Sequence, residues 1–166
     1  MTARPFKFGD KYREGVSVVA YHERFKSDFG RLNYEWIERY FVVEHHDREL
    51  LDQPYETIIE PGGEIFFAVA GGEAVGTAAM IPEGDERFEL AKMAVSPDWQ
   101  GRGIGDMLLE TCVGFARERK ALSIVLLSNT RLKAAIGLYR KHGFRETLTD
   151  SRSPYERVNI RMELAL

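Results

Sequence analysis

Apolar positions along this chain change spacing several times, and each change marks an element. Val16, Val18 and Val19 form a β-prone run that predicts a first strand over residues 15–21. Phe25, Phe29, Leu32, Trp36 and Tyr40 then recur at steps of three or four, the spacing of one helix face. Ser27 and Asp28 are candidate caps for part of that helix, and Gly30 weakens it slightly. A shorter helix is predicted over 47–51, ending before Pro54, whose ring cannot continue it. Residues 65–70 and 74–81 are apolar and β-rich on either side of Gly71-Gly72, which predicts a hairpin.

A further strand is predicted over 88–95. Simple alternation there places Glu89 on one face with Ala91, Met93 and Val95. Residues 104–119 read as a helix with Ile104, Met107, Leu108, Thr111, Cys112 and Phe115 along one side. Residues 124–127 are continuously apolar, as a central strand covered on both faces would be. A helix over 132–142 should stop at Gly143 in a left-handed cap, and 155–164 alternates well enough for a last strand. The order predicts a mixed α/β layer structure, antiparallel early and with a helical crossover late.

Composition narrows the setting. The 166 residues fit one domain over 1–166, with 44% hydrophobic and 30% charged residues, an ordinary globular balance. A net charge of −3 gives no global reason to expect nucleic acid as partner, so any anion must be met by local charge. The single cysteine, Cys112, excludes an internal disulfide and a Cys-rich metal site. An apolar helix-face position makes it a packing residue. No apolar run approaches the ~20 residues that span a bilayer and no signal core opens the chain, so a cytoplasmic protein without a membrane partner is the expectation. His45 and His46 precede Asp47 without a second cluster at ligand spacing, so they read as surface residues and no metal is expected.

The loop between the strand over 88–95 and the helix from 104 carries the candidate chemistry. It contains Gln100-Gly101-Arg102-Gly103-Ile104-Gly105, with glycines at alternate positions. Glycine there lets the backbone turn sharply, and unsatisfied N–H groups at the helix start make an anion site to which Arg102 adds full charge. The dinucleotide pattern G-x-G-x-x-G fails because its last glycine falls on Asp106, and no Gly-Lys-Ser/Thr of a Walker loop follows. A glycine-rich turn without a ligand remains the alternative at this point.

Four blocks then agree in order and spacing. Gln100 to Gly105 resembles the Q/R-x-x-G-x-G/A signature of the GNAT superfamily of acyl-CoA N-acyltransferases. Phe88-Glu89-Leu90-Ala91-Lys92-Met93-Ala94-Val95 resembles the strand before it. Asn129 with Ala134-Ala135-Ile136-Gly137-Leu138-Tyr139-Arg140-Lys141-His142-Gly143-Phe144 resembles the next strand end and helix, and Asn159-Ile160-Arg161-Met162-Glu163-Leu164 the closing strand. Leu127 and Ser128 depart from the polar residues that relatives often carry before the asparagine.

The resemblance implies a mostly antiparallel sheet of six or seven strands with helices on both faces, splayed between its central strands. It implies acetyl-CoA as co-substrate, its pantetheine arm paired with the backbone of Met93, Ala94 and Val95, and its pyrophosphate held by Gln100, Gly101, Arg102, Gly103, Ile104 and Gly105. Asn129 and Lys141 join that site. Glu89 is then the general base and Tyr139 the general acid in direct transfer to a primary amine, of a small molecule or a peptide. On residue type alone, a solvated strand-edge carboxylate is the alternative for Glu89, and a helical tyrosine such as Tyr139 is more often a packing residue. Asn129 is equally a cap. The alternatives to a small-amine enzyme are a non-catalytic acyl-CoA sensor and a protein lysine or N-terminal acetyltransferase. A homodimer is left open, and selectivity is expected from the N-terminal helices and from residues 82–87 and 148–154.

Overall fold

The computed structural model describes residues 15–84, 86–148 and 153–166. Strand β1 (Val16–Ala20) leads through a short 3-10 turn into helix α1 (Lys26–Tyr40) and helix α2 (His45–Asp52). A π-helical turn over Tyr55–Ile59 precedes the hairpin of β2 (Glu64–Ala70) and β3 (Glu73–Pro82). Then come β4 (Arg87–Val95), α3 (Ile104–Glu118), β5 (Ser123–Ser128), α4 (Lys133–Lys141), β6 (Arg145–Thr147) and β7 (Ile160–Ala165). The seven strands form one sheet in the order β1-β2-β3-β4-β5-β7-β6, antiparallel except for the β4–β5 pair.

Each face of the sheet carries a core. On one side, Leu108, Cys112 and Phe115 of α3 and Ile136 and Tyr139 of α4 pack on Phe66, Met80, Leu90, Leu126 and Met162. On the other, Phe29, Leu32 and Ile37 of α1 and Leu50 and Leu51 of α2 pack on Ile65, Phe67 and Ala79. β5 is covered on both sides, which is why its sequence shows no polar alternation. Gly143 takes φ +93° after α4, and the Phe144 N–H bonds back to the Tyr139 carbonyl, closing the helix as expected.

Four expectations change. Neither Ser27 nor Asp28 caps α1. The chain enters it from the turn over Glu23–Phe25, capped by the His22 ring, and Asp28 instead pairs with Arg31 one turn on. The last strand starts at Ile160, because Tyr155 and Arg157 are drawn into polar contacts that a regular strand could not make. β6 was not anticipated, being three residues long with two of them exposed. β4 is not a straight strand.

Its register against β3 runs from Ala79↔Ala91 to Thr77↔Ala94, so Lys92 and Met93 together oppose one residue. That is a β-bulge, and Lys92 takes φ +53° to make it. The bulge exchanges the faces of the strand. Phe88 and Leu90 point to the α3/α4 core, whereas after the bulge Met93 and Val95 reach that core and Ala94 joins the α1/α2 side. Glu89 and Ala91 therefore do not share a face with Met93 and Val95. An inserted residue shifts a period of two by one step.

Candidate active site

β4 and β5 pair only through Arg87↔Ser123, Phe88↔Ile124 and Glu89↔Val125. Beyond Glu89, β4 stays with β3 and β5 stays with β7, so the two strands splay toward their C-terminal ends. The parting leaves backbone groups of residues 90–95 facing a slot, as the resemblance implied. Met93, Ala94 and Val95 line that part of β4. The Ala94 side chain is buried in the α1/α2 core, so only its backbone is available to a ligand.

The slot ends at the start of α3. Gly103 is the N-cap residue with φ +79° and Gly101 has φ +74°, a left-handed backbone that side chains rarely adopt. No side chain caps the helix, and its first backbone bond is the Met107 N–H to the Gly103 carbonyl, so the preceding N–H groups are unused by the helix. A Cβ on Gly105 would lie 3.0 Å from the Leu138 side chain and 3.5 Å from that of Met93. Glycine there lets α3, α4 and β4 meet at the slot. Ile104 is buried against Gly76, so its contribution to an anion site is its backbone.

Arg102 is exposed, stacks 4.7 Å over the Trp99 ring and has no carboxylate partner among the described residues. Lys141 is placed beside the helix start but pairs with Asp106 in its first turn at 2.8 Å; His142 reaches the same oxygen at 2.8 Å. Those two hydrogen bonds hold the Asp106 carboxyl below its usual range. Lys141 thus offsets the acidic group in the first turn of α3. The Gln100 amide donates to the Val95 carbonyl at 3.0 Å, an exposed bond that a ligand pairing with that carbonyl would displace.

Asn129 follows β5 and caps the next segment. Its Oδ1 accepts from the Arg131 N–H at 2.8 Å and its Nδ2 donates to the Arg157 carbonyl at 2.7 Å. The cap reading of this residue is realised in the structure. Tyr139 is buried on α4, its ring 6.0 Å from that of Phe144, and burial, with Cys112 beside it, pushes its hydroxyl up to about 12.

Glu89 sits where the strands part, on the α1/α2 side. Its side chain has no hydrogen bond or ion pair with a described residue, while its backbone stands in the ladders to β3 and β5. Desolvation and the nearby Glu83 charge raise it to about 7, against a smaller opposing effect of Lys92. A carboxyl in that range exchanges a proton near neutral pH. Glu89 and Tyr139 therefore lie on opposite faces of the sheet.

The structure adds residues that no local spacing signals. Lys92, Asp47, Arg157 and Tyr155 gather beside Glu89 from β4, α2 and the segment before β7. His45 and His46 both pair with Glu49 on α2; His45 is exposed, whereas the His46 ring also packs on Tyr155 with ring centres 5.1 Å apart. Among the described residues there is no group of three or more metal-ligating side chains, and no helix long and apolar enough to cross a membrane. Residues 149–152 and Asp85, part of the segments expected to set selectivity, lie outside the described residues.

Comparison with known proteins agrees with this geometry. The chain is 29% identical over 108 residues to rat (Rattus norvegicus) N-acetyltransferase 8, covering 62% of this chain and 48% of that protein. It is 32% identical over 91 residues to mouse (Mus musculus) N-acetyltransferase 8, covering 52% and 40%. It spans about half or less of the length of these relatives. Among solved structures, a GNAT-family acetyltransferase of Staphylococcus aureus Mu50 matches with a TM-score of 0.82 at 20% identity, covering 90% of this chain and 98% of that one. The PaiA N-acetyltransferase of Thermoplasma acidophilum, solved with coenzyme A, matches with a TM-score of 0.72 at 16% identity, covering 91% and 99%. The family model for the acetyltransferase (GNAT) domain matches residues 61–146, from before β2 to within β6. The splayed sheet, the glycine-capped helix and this match together establish that the chain belongs to the GNAT acetyltransferase family.

Proposed function

We propose that this protein transfers an acetyl group from acetyl-CoA to a primary amine by direct attack in a ternary complex. The observation that carries this reading is the parting of β4 from β5 immediately after Glu89, which sets a carboxyl of about 7 at the opening of the slot. The solved relatives with coenzyme A or acetyl-CoA bound support the choice of co-substrate.

The residues present fit that co-substrate. The left-handed glycines, the uncapped N–H groups of α3 and Arg102 suit a pyrophosphate, and the free edge of β4 suits an amide-bearing arm entering like a strand. Acetyl-CoA brings an activated thioester, so this chain has to position, polarise and move protons. A backbone N–H in the splayed part of β4 would polarise the thioester carbonyl and stabilise the oxyanion. Glu89, on the α1/α2 side, takes the proton that the attacking amine must lose.

Tyr139 serves the leaving sulfur from the other face. Its hydroxyl at about 12 stays protonated at any physiological pH. A free thiol has a pKa of about 8.5, so complete transfer from this phenol is uphill. Its contribution is therefore a hydrogen bond to the developing thiolate, with solvent completing the protonation. The cofactor contacts, the base and the donor are all parts of this proposal, as is a cytoplasmic setting.

Release of free thiol from acetyl-CoA over a panel of amines, amino acids and peptides tests it. Wild-type protein should release thiol with one class of acceptor, and Tyr139→Phe should lower turnover about tenfold or more while acetyl-CoA affinity stays within twofold. Equal turnover of the two proteins would reduce Tyr139 to a packing residue.

A further inference from the structure

One buried and one half-buried carboxyl group stand near one buried ammonium in this site. Asp47 has no exposed surface and accepts four hydrogen bonds: from Lys92 Nζ, from both terminal nitrogens of Arg157 at 2.6 and 2.8 Å, and from the Glu44 N–H at 2.8 Å. Burial alone would raise its carboxyl, but the Arg157 and Lys92 bonds outweigh that and hold it at about 2. Lys92 is 7% exposed at the left-handed bulge, with its ammonium 4.6 Å from the centre of the Tyr155 ring. Arg157 stacks on the same ring at 4.4 Å and also bonds Glu44 at 3.0 Å.

Glu89 is the second carboxyl, three residues before Lys92 on the same side of the bulged strand. The charged and titratable groups around it are Lys92 on β4, Glu83 after β3, Tyr155 and Arg157 before β7, and Asp47 with its cap residue Glu44 on α2. His46 of α2 lies against the far neighbour, Tyr155, with ring centres 5.1 Å apart. A desolvated ammonium pairs with whichever carboxylate is better held as an anion. Asp47, fixed by Arg157 and by the cap of α2, is that partner.

We propose that Asp47 is a positioning residue for proton transfer: it holds the Lys92 ammonium against Tyr155 and away from Glu89, leaving Glu89 free to accept the amine proton. The proposal rests on the reading of Glu89 as the base. Without the Asp47 charge, Lys92 turns to Glu89, which lies three residues away on the same side of the bulge and, unlike Glu44, holds no arginine, and an ion-paired Glu89 is a poorer acceptor. The same pair anchors the bulge to α2, so the backbone edge of the slot and the state of the base depend on one contact.

Carbon-13 NMR of the full chain with labelled glutamate carboxyls, with Glu89→Gln to assign the signal, tests this without any acceptor amine. The wild-type Glu89 midpoint should lie near 7. Asp47→Asn should lower it by a unit or more, Lys92→Met should not lower it, and the double variant should return it to the wild-type value or above. An unchanged midpoint in folded Asp47→Asn overturns the proposal. If that variant does not fold, Lys92→Met decides: a midpoint at or above the wild type supports the arrangement, and a lowered one overturns it. If the midpoint moves as expected but the acid limb of turnover does not follow, the base assignment fails and the electrostatic arrangement stands.

Discussion

Glu89→Gln should lower turnover at pH 7.5 by about 100-fold or more, the loss typical of removing a positioned general base. The pH dependence follows from the sign of the shift. The carboxyl is raised to about 7, so it is protonated below that pH and unable to take a proton. Wild-type kcat/KM should therefore fall about tenfold per unit below pH 7, and that limb should vanish in Glu89→Gln. The difference between the two proteins should shrink at high pH, where more amine arrives already deprotonated. A Gln variant with wild-type turnover and an intact acid limb would remove Glu89 from the mechanism.

The same residue has a stability signature of opposite direction. A carboxyl whose folded pKa is raised favours the fold while protonated and opposes it once ionised. The penalty begins near the unfolded value of 4.5 and is complete above about 7. It amounts to about 3 kcal/mol for a shift of this size. Glu89→Gln should then melt no lower than the wild type at pH 8 while turning over far more slowly. A general collapse of the site would lower both stability and turnover.

Gly103→Val should remove acetyl-CoA binding. Valine is strained at φ +79°, so the N-cap must rearrange and the N–H groups of the first turn of α3 lose their common aim. At 100 times its dissociation constant, a ligand stabilises the fold by about 2.7 kcal/mol, which for a chain of this size raises Tm by roughly 5–10 °C. Wild-type protein should show that rise with acetyl-CoA, and Gly103→Val less than a third of it. Gly72→Val is the control. Gly72 also has positive φ, +81°, but lies in the β2–β3 turn with open space around its missing side chain. It should lose stability in the same way yet keep the acetyl-CoA response. Equal responses in both variants would detach the cofactor from the glycine loop.

Much of this was legible from local pattern. The helix period of Phe29 and Leu32, the Gly71-Gly72 hairpin and the left-handed stop at Gly143 are short-range devices, and each appears where its chemistry demands. The glycine loop was legible as a candidate anion site, and the resemblance supplied the splay and the roles proposed for Glu89 and Tyr139. The bulge was not legible. Lys92 stands in the row of Phe88, Leu90 and Ala94, but no glycine marks the insertion, and it is the lysine itself that adopts the left-handed backbone. The error carried through to the assignment of faces on β4.

The buried charge cluster was hidden for a different reason. Lys92 lies 45 residues from Asp47 and Arg157 lies 110 residues from it, so no window along the chain contains the partners. Asp47 read as part of a surface helix start beside two histidines. In the fold it completes the capping box of α2, pairs with the buried Lys92 and the half-buried Arg157, and faces the Glu89 side of the sheet at once. Tyr155 read as the start of a strand, and instead its ring lies between the cations Lys92 and Arg157 and the His46 ring.

Isothermal titration of the wild-type chain with acetyl-CoA tests the central claim most directly, because it needs no acceptor. The account predicts saturable one-to-one binding that weakens as salt rises, since Arg102 and the start of α3 meet the phosphates. It also predicts loss of that binding in Gly103→Val. Absence of binding to folded wild-type protein at millimolar acetyl-CoA would contradict it.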